Sequence, residues 1–112
     1  MKTILIPVFK NRISSRLDCT EFFQVVKIDG NRIQYTDKIK IIAKNQLDKL
    51  NSIISLKPDT VICNGITEYF ECEFLQNNIQ VIPWVYGQIE EVVEDFMKGK
   101  LLIKKEKIQS IA

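Results

Sequence analysis

The stretch TVICNGITEYFECEFLQNNIQVIP, residues 60–83, decides the architecture. Thr60 to Cys63 is a short apolar run that stops at Asn64-Gly65, and Ile79 to Pro83 is a second one. Between them Thr67 stands where a helix cap belongs, and Glu68 and Glu71 follow where negative charge suits the positive end of a helix dipole. Asn77-Asn78 closes the helix. Strand, helix and strand within so few residues make a crossover unit, which demands parallel strands and a helix packed on the sheet.

Working outward, Gly87 to Lys98 reads as a further helix. Ile89, Val92, Val93, Phe96 and Met97 fall on one face, Glu90, Glu91, Glu94 and Asp95 lie away from it, and Gly99 supplies a left-handed stop. Upstream, Asn45 to Leu56 places Leu47, Leu50, Ile53 and Ile54 at helical spacing, with Asn45 as cap and Lys57-Pro58-Asp59 as terminator. Lys2 to Val8 reads as a buried first strand ended by Pro7. Glu21 to Ile28 and Arg32 to Ile41 read as a hairpin about Asp29-Gly30-Asn31, its second strand facing water on one side. Phe9 to Thr20 has no clean period and reads as a loop with a helical turn. The expected order is β-β-β-α-β-α-β-α: a five-stranded mixed sheet, with helices on its faces, in one domain over residues 1–102 and a tail over 103–112.

Composition narrows the function. The chain has 112 residues, enough for one core. A net charge of +2 is too mild for an electrostatic DNA-binding face, and the dense basic run, Lys104, Lys105 and Lys107, reads as a solvated tail. No apolar run approaches the ~20 residues of a membrane span, and no leader is recognised, so the expectation is a cytoplasmic protein without nucleic-acid or membrane partners. Three cysteines, Cys19, Cys63 and Cys72, are irregularly spaced and give no disulfide framework. Histidine is absent, which excludes Ser-His-Asp and Cys-His catalysis. The first strand carries no carboxylate, so a two-metal nuclease is excluded as well. The reading is a binding protein and not an enzyme.

In open α/β sheets, ligands bind beyond the carboxyl ends of parallel strands. If the first, fourth and fifth strands run parallel, with the first beside the fourth, three loops meet at one edge. They bring Arg12, Ser14, Ser15, Arg16, Asp18 and Cys19; Cys63, Asn64, Gly65 and Thr67; and Trp84, Tyr86 and Gly87. Arg12 and Arg16 offer cationic forks, helix starts at Thr67 and Gly87 offer free N–H groups, and Trp84 and Tyr86 offer an apolar wall. That set suits an anionic ligand.

Four stretches carry a resemblance: Ile4-Leu5-Ile6-Pro7-Val8; Arg12 through Asp18 followed by Cys19-Thr20-Glu21-Phe22; Val61-Ile62-Cys63-Asn64-Gly65-Ile66; and Ile79 to Pro83 continuing through Gly87 to Leu101. In this order and spacing the chain resembles the dinitrogenase iron–molybdenum cofactor biosynthesis family. The resemblance implies a ribonuclease-H-like three-layer fold and carriage of iron–molybdenum cofactor or an iron–sulfur precursor. Ser15 stands where proline is common in that family, Leu17 where an aromatic is common and Trp84 where glycine is common. Cys63, beside a helix start, is the expected thiolate for such a cargo, and Cys19 the expected second ligand. The alternative is a protein-interaction or homodimerisation module with no small ligand, or one that docks an accessory protein. Its expected surfaces are the acidic side of the last helix and the strand from Arg32 to Ile41.

Overall fold

The structure, a computed structural model, describes residues 1–101; the basic run and the tail boundary expected from the sequence lie outside them. The elements are β1 (Lys2–Phe9), β2 (Arg12–Ile13), a 3-10 turn (Leu17–Cys19), β3 (Phe22–Asp29), β4 (Arg32–Lys40), α1 (Gln46–Ser55), β5 (Thr60–Ile62), α2 (Glu68–Gln76), β6 (Gln80–Ile82) and α3 (Ile89–Met97). The protein is α/β, with a mixed sheet ordered β4-β3-β1-β5-β6 and β2 attached to β1. β1, β5 and β6 are mutually parallel, and β3 is antiparallel to both β1 and β4. Among the described residues no helix is long and apolar enough to cross a membrane.

β1 lies mid-sheet with Ile4, Leu5, Ile6 and Val8 buried, as a strand covered on both faces requires. Alternation sends Leu5 into one core with Phe23, Val25, Leu50, Ile53, Phe70, Phe74 and Val81, under α1 and α2. It sends Ile4, Ile6 and Val8 into a second core with Val26, Ile28, Ile62, Ile82, Val92 and Val93, under α3.

Several local expectations change. Pro7 does not end β1, which runs on to Phe9. The N and C=O of one strand residue face the same edge, and Pro7 O accepts from Ser14 N at 2.9 Å. The missing N–H therefore faces the side where pairing with β5 has already stopped at Leu5, and no ladder bond is lost. The expected loop after Phe9 instead turns back as β2, giving a sixth strand. β4 is exposed on both faces except at the half-buried Ile39, not on one. In the hairpin turn Gly30 has φ +64 while Asn31 stays at negative φ, so only the first central residue needs glycine's freedom. In α1 the buried face is Lys49, Leu50 and Ile53, and Leu47 is exposed. α3 begins at Ile89, two residues after Gly87, and its cap residue Gln88 makes no side-chain cap. Asn45 and Thr67 do cap α1 and α2, accepting from Asp48 N at 2.8 Å and Phe70 N at 3.3 Å.

Candidate functional site

The three loops meet at the carboxyl rim of β1, β5 and β6, laced by backbone hydrogen bonds. Ile13 N donates to Gly87 O at 3.0 Å and Ile89 N to Asn11 O at 2.9 Å, tying the first loop to the third. Gly65 N donates to Ser15 O and Leu17 N to Gly65 O, both at 2.9 Å, tying the first to the second. Trp84 N donates to Asn64 O at 3.0 Å and Val85 N to Cys63 O at 2.9 Å, tying the second to the third. Closely spaced loops thus become one braced surface. An ideal Cβ on Gly65 would stand 2.7 Å from Ser15 O, so this approach needs glycine.

A cavity of about 440 Å³ opens on that surface, lined by Phe9, Arg12, Ile13, Ser14, Ser15, Asn64, Tyr86 and Gly87. Of the residues singled out from the sequence, Arg12, Ser14, Ser15, Asn64, Tyr86 and Gly87 line it together. Arg16 does not: its guanidinium forms a two-pronged pair with Asp18, at 3.1 and 2.6 Å, which raises its pKa. Gly65 sits behind the wall, bridged to Arg16, and Thr67 serves as the α2 cap. Trp84 lies outside the lining, largely exposed, at φ +63. That left-handed backbone is one glycine takes freely and a bulky residue takes at a cost of about 1–2 kcal/mol.

The cysteines need a correction. Cys63 is fully buried in the core with Phe70 and Phe74, and burial, aided by the Glu71 charge, pushes its thiol up to about 12. The helix start beside it does not offset that desolvation. Cys19 is exposed and lines a different cavity, about 240 Å³, with Asp18, Thr20, Glu21 and Lys49. The two thiols do not converge, and no three His, Cys, Asp or Glu side chains gather to hold a metal among the described residues.

The burial of Cys63 makes a prediction. A thiol with a raised folded pKa stabilises the fold fully below its ordinary value of 9.0, and the contribution falls as pH rises from there toward about 12. Lys49, whose pKa is lowered by desolvation, works in the opposite sense just below 10.5, so the two must be separated. The expected result is that wild type minus Cys63→Ala stability is flat below pH 9.0 and declines above it, by at most about 1.4 kcal/mol per pH unit. Urea unfolding of both proteins across pH 7–11 measures it; parallel curves would disprove the assignment.

Sequence reasoning missed Phe9, Ile13 and Lys49. Phe9 forms part of the cavity wall because β1 passes Pro7, which no local pattern revealed. Lys49 is nearly buried, with Nζ donating to Leu17 O at 3.1 Å and Asp18 O at 3.0 Å. Its signal was present: residue 49 shares a helical face with Ile53, four positions on.

No protein-family model matches the sequence, and no curated protein matches it. Solved structures do. PH0822 aligns with a TM-score of 0.83 at 24% identity, covering 93% of this chain and 96% of its own. A provisionally named dinitrogenase from Methanocaldococcus jannaschii, MJ0327, aligns with a TM-score of 0.77 at 22% identity, covering 93% and 95%. A provisionally named NifB protein from Thermotoga, TM1290, described as of the DUF35 family, aligns with a TM-score of 0.74 at 14% identity, covering 96% and 99%. Over nearly its whole length the chain therefore has the fold of these proteins, among them ones named for dinitrogenase and NifB.

Proposed function

We propose that the protein is a non-catalytic, cytoplasmic accessory domain of the iron–molybdenum cofactor biosynthesis type, with the ribonuclease-H-like fold of that family. Its task is to hold an anionic ligand at the carboxyl rim of β1, β5 and β6, the class of cargo being a metallocluster precursor. One observation carries this reading: Arg12, Ser14, Asn64, Tyr86 and Gly87, from three separate loops, line a single cavity. The names of the dinitrogenase and NifB structures support the family side of it.

The donor set fits a ligand gripped by its outer atoms. Arg12 supplies fixed positive charge, Ser14, Ser15 and Asn64 supply short polar groups, and Phe9 and Tyr86 close the sides. Ligation by the Cys63 thiolate is no part of this reading, because the sulfur is in the core. Cys19 stays the accessible thiol but lies in another cavity.

Tetrathiomolybdate, a coloured sulfur-bearing molybdenum anion, is a suitable probe, with phosphate as competitor. Titration followed by absorbance is expected to saturate for wild type. Arg12→Ala, which removes a charge-assisted contact of about 1.5–3 kcal/mol, is expected to weaken binding by roughly tenfold or more. No saturable binding, or equal affinity in the variant, would overturn the proposal.

A further inference from the structure

The two faces of the sheet are unequally covered. α1 and α2 share one face, whereas among the described residues α3 is the helix on the other. Four strand spacings of about 4.8 Å make the sheet about 20 Å wide, and a helix with its side chains is about 10 Å across. The β3–β4 side of the α3 face therefore stays open, as a strip about 10 Å wide. There a groove of about 610 Å³ runs between hairpin and helix, with Val26, Ile33 and Thr36 on the sheet side and Ile89, Val93 and Met97 on the helix side. A strip this wide along the nine-residue β4 offers roughly 300 Å², well short of the ~800 Å² per partner that a stable complex of two proteins buries. It has the width of one helix or one strand.

The chain leaves α3 at one end of this groove. The start of α3 is tied to the rim, Ile89 N donating to Asn11 O at 2.9 Å, and its other end, Met97 and Lys98, borders the groove beside Asn31 of the hairpin turn. The helix is then closed by two backbone bonds: Lys100 N donates to Asp95 O at 2.8 Å and Gly99 N to Phe96 O at 3.0 Å, with Gly99 at φ +72. Leu101, next after this cap, packs against the core of the α3 face. That core includes Val26, Ile89, Val93 and Met97, the side chains that wall the groove. The last described residue is thus in contact with the cluster that the groove leaves open.

Eleven residues follow, 102–112, and they carry Leu102, Ile103, Ile108 and Ile111. We propose that this segment of the same chain returns along the groove, antiparallel to α3, and seats Ile108 and Ile111 against Ile33, Val93 and Met97. Its length suffices. The nine residues of α3 extend about 14 Å, and residue 108, seven positions beyond Leu101, reaches about 10 Å even when wound as a helix. The fit is apolar and does not rest on charge. Glu94 on the helix wall already pairs with Lys98 at 3.1 Å, Glu90 stands beside them, and Lys38 and Lys40 lie further along the same side of the sheet. Lys104, Lys105 and Lys107 keep their ammonium groups in water while their stems cover the lip of the groove. The inference is independent of the anion site, whose residues it does not use.

Methyl NMR of the full chain tests it. Nuclear Overhauser contacts are expected from Ile108 and Ile111 to Ile33, Val93 and Met97, unchanged on dilution and absent between labelled and unlabelled copies. Ile108→Asp with Ile111→Asp is expected to abolish them and to quicken amide exchange in β4 and α3 by about tenfold, because the burial of two isoleucines is lost. Ile33→Asp, at a half-exposed position, is expected to release the same contacts from the sheet side. A native circular dichroism spectrum verifies each fold. Isoleucines 108 and 111 without contacts to the groove, contacts that run between copies, contacts untouched by Ile33→Asp, or exchange in β4 and α3 unaltered by the paired variant would each overturn the inference.

Discussion

Gly65→Val should lower stability by about 3 kcal/mol and abolish binding of tetrathiomolybdate at the rim. The backbone at 65 is not left-handed, so the penalty is purely steric. The Cβ alone would stand 2.7 Å from the backbone oxygen of Ser15, which cannot swing aside as a side chain would. Moving it breaks the pair of 2.9 Å bonds through which the 65 position holds Ser15 and Leu17. Overpacking of this kind typically costs 1–3 kcal/mol, and valine's branches put it at the top of that range. For a domain of this size that is a fall in melting temperature of roughly 12 °C or more. Gly30→Ala is the control. It has φ +64 but nothing within 4 Å of the new Cβ, so only backbone strain of about 1 kcal/mol is expected, with unchanged anion affinity. Thermal melts and the absorbance titration on both variants measure the contrast; equal losses of binding would show that the Gly65 approach is not what shapes the rim.

Lys49→Met should cost about 2 kcal/mol. The ammonium is nearly buried, lies 5.9 Å from the Phe23 ring centre and donates to two carbonyls at the 3-10 turn. Methionine keeps the apolar stem but leaves Leu17 O and Asp18 O without that donor, a loss of about 1–3 kcal/mol for each acceptor left unpaired. Relief from burying a charge returns part of this, which sets the net figure. The same turn carries Asp18, which holds Arg16, and Leu17, whose N–H holds Gly65. Amide exchange at Leu17 and Gly65 should therefore quicken more than elsewhere. Urea unfolding with exchange measured by NMR tests both parts; a variant as stable as wild type, with unchanged exchange at those amides, would remove Lys49 from the role of strut.

Much of this was written into the chain locally. The continuous apolar run of β1, the period-two hairpin, the caps at Asn45 and Thr67 and the one-sided face of α3 follow from residues within a few positions of one another. With β1 taken to lie beside β5, as it does, that order carries three loops to one rim, so the gathering of Arg12, Ser14, Asn64, Tyr86 and Gly87 around one cavity was legible in the sequence.

What stayed hidden depended on depth and partners. Cys63, Asn64 and Gly65 are neighbours in sequence, yet the first is core and the second is cavity wall, because alternation along β5 turns Cys63 toward Phe70 and Phe74. Arg12 and Arg16 looked equivalent as cationic forks, and what separates them is a local pair, Arg16 with Asp18 two residues on. Pro7 looked like a terminator until the end of β5 pairing showed that no partner awaited its N–H. The amino-acid order alone determined which segments become strands and helices and in what sequence, because backbone propensity and hydrophobic period act over short range. Tertiary structure alone decided which side chains remain charged and reachable and which face is left open, because desolvation and pairing depend on neighbours brought from afar.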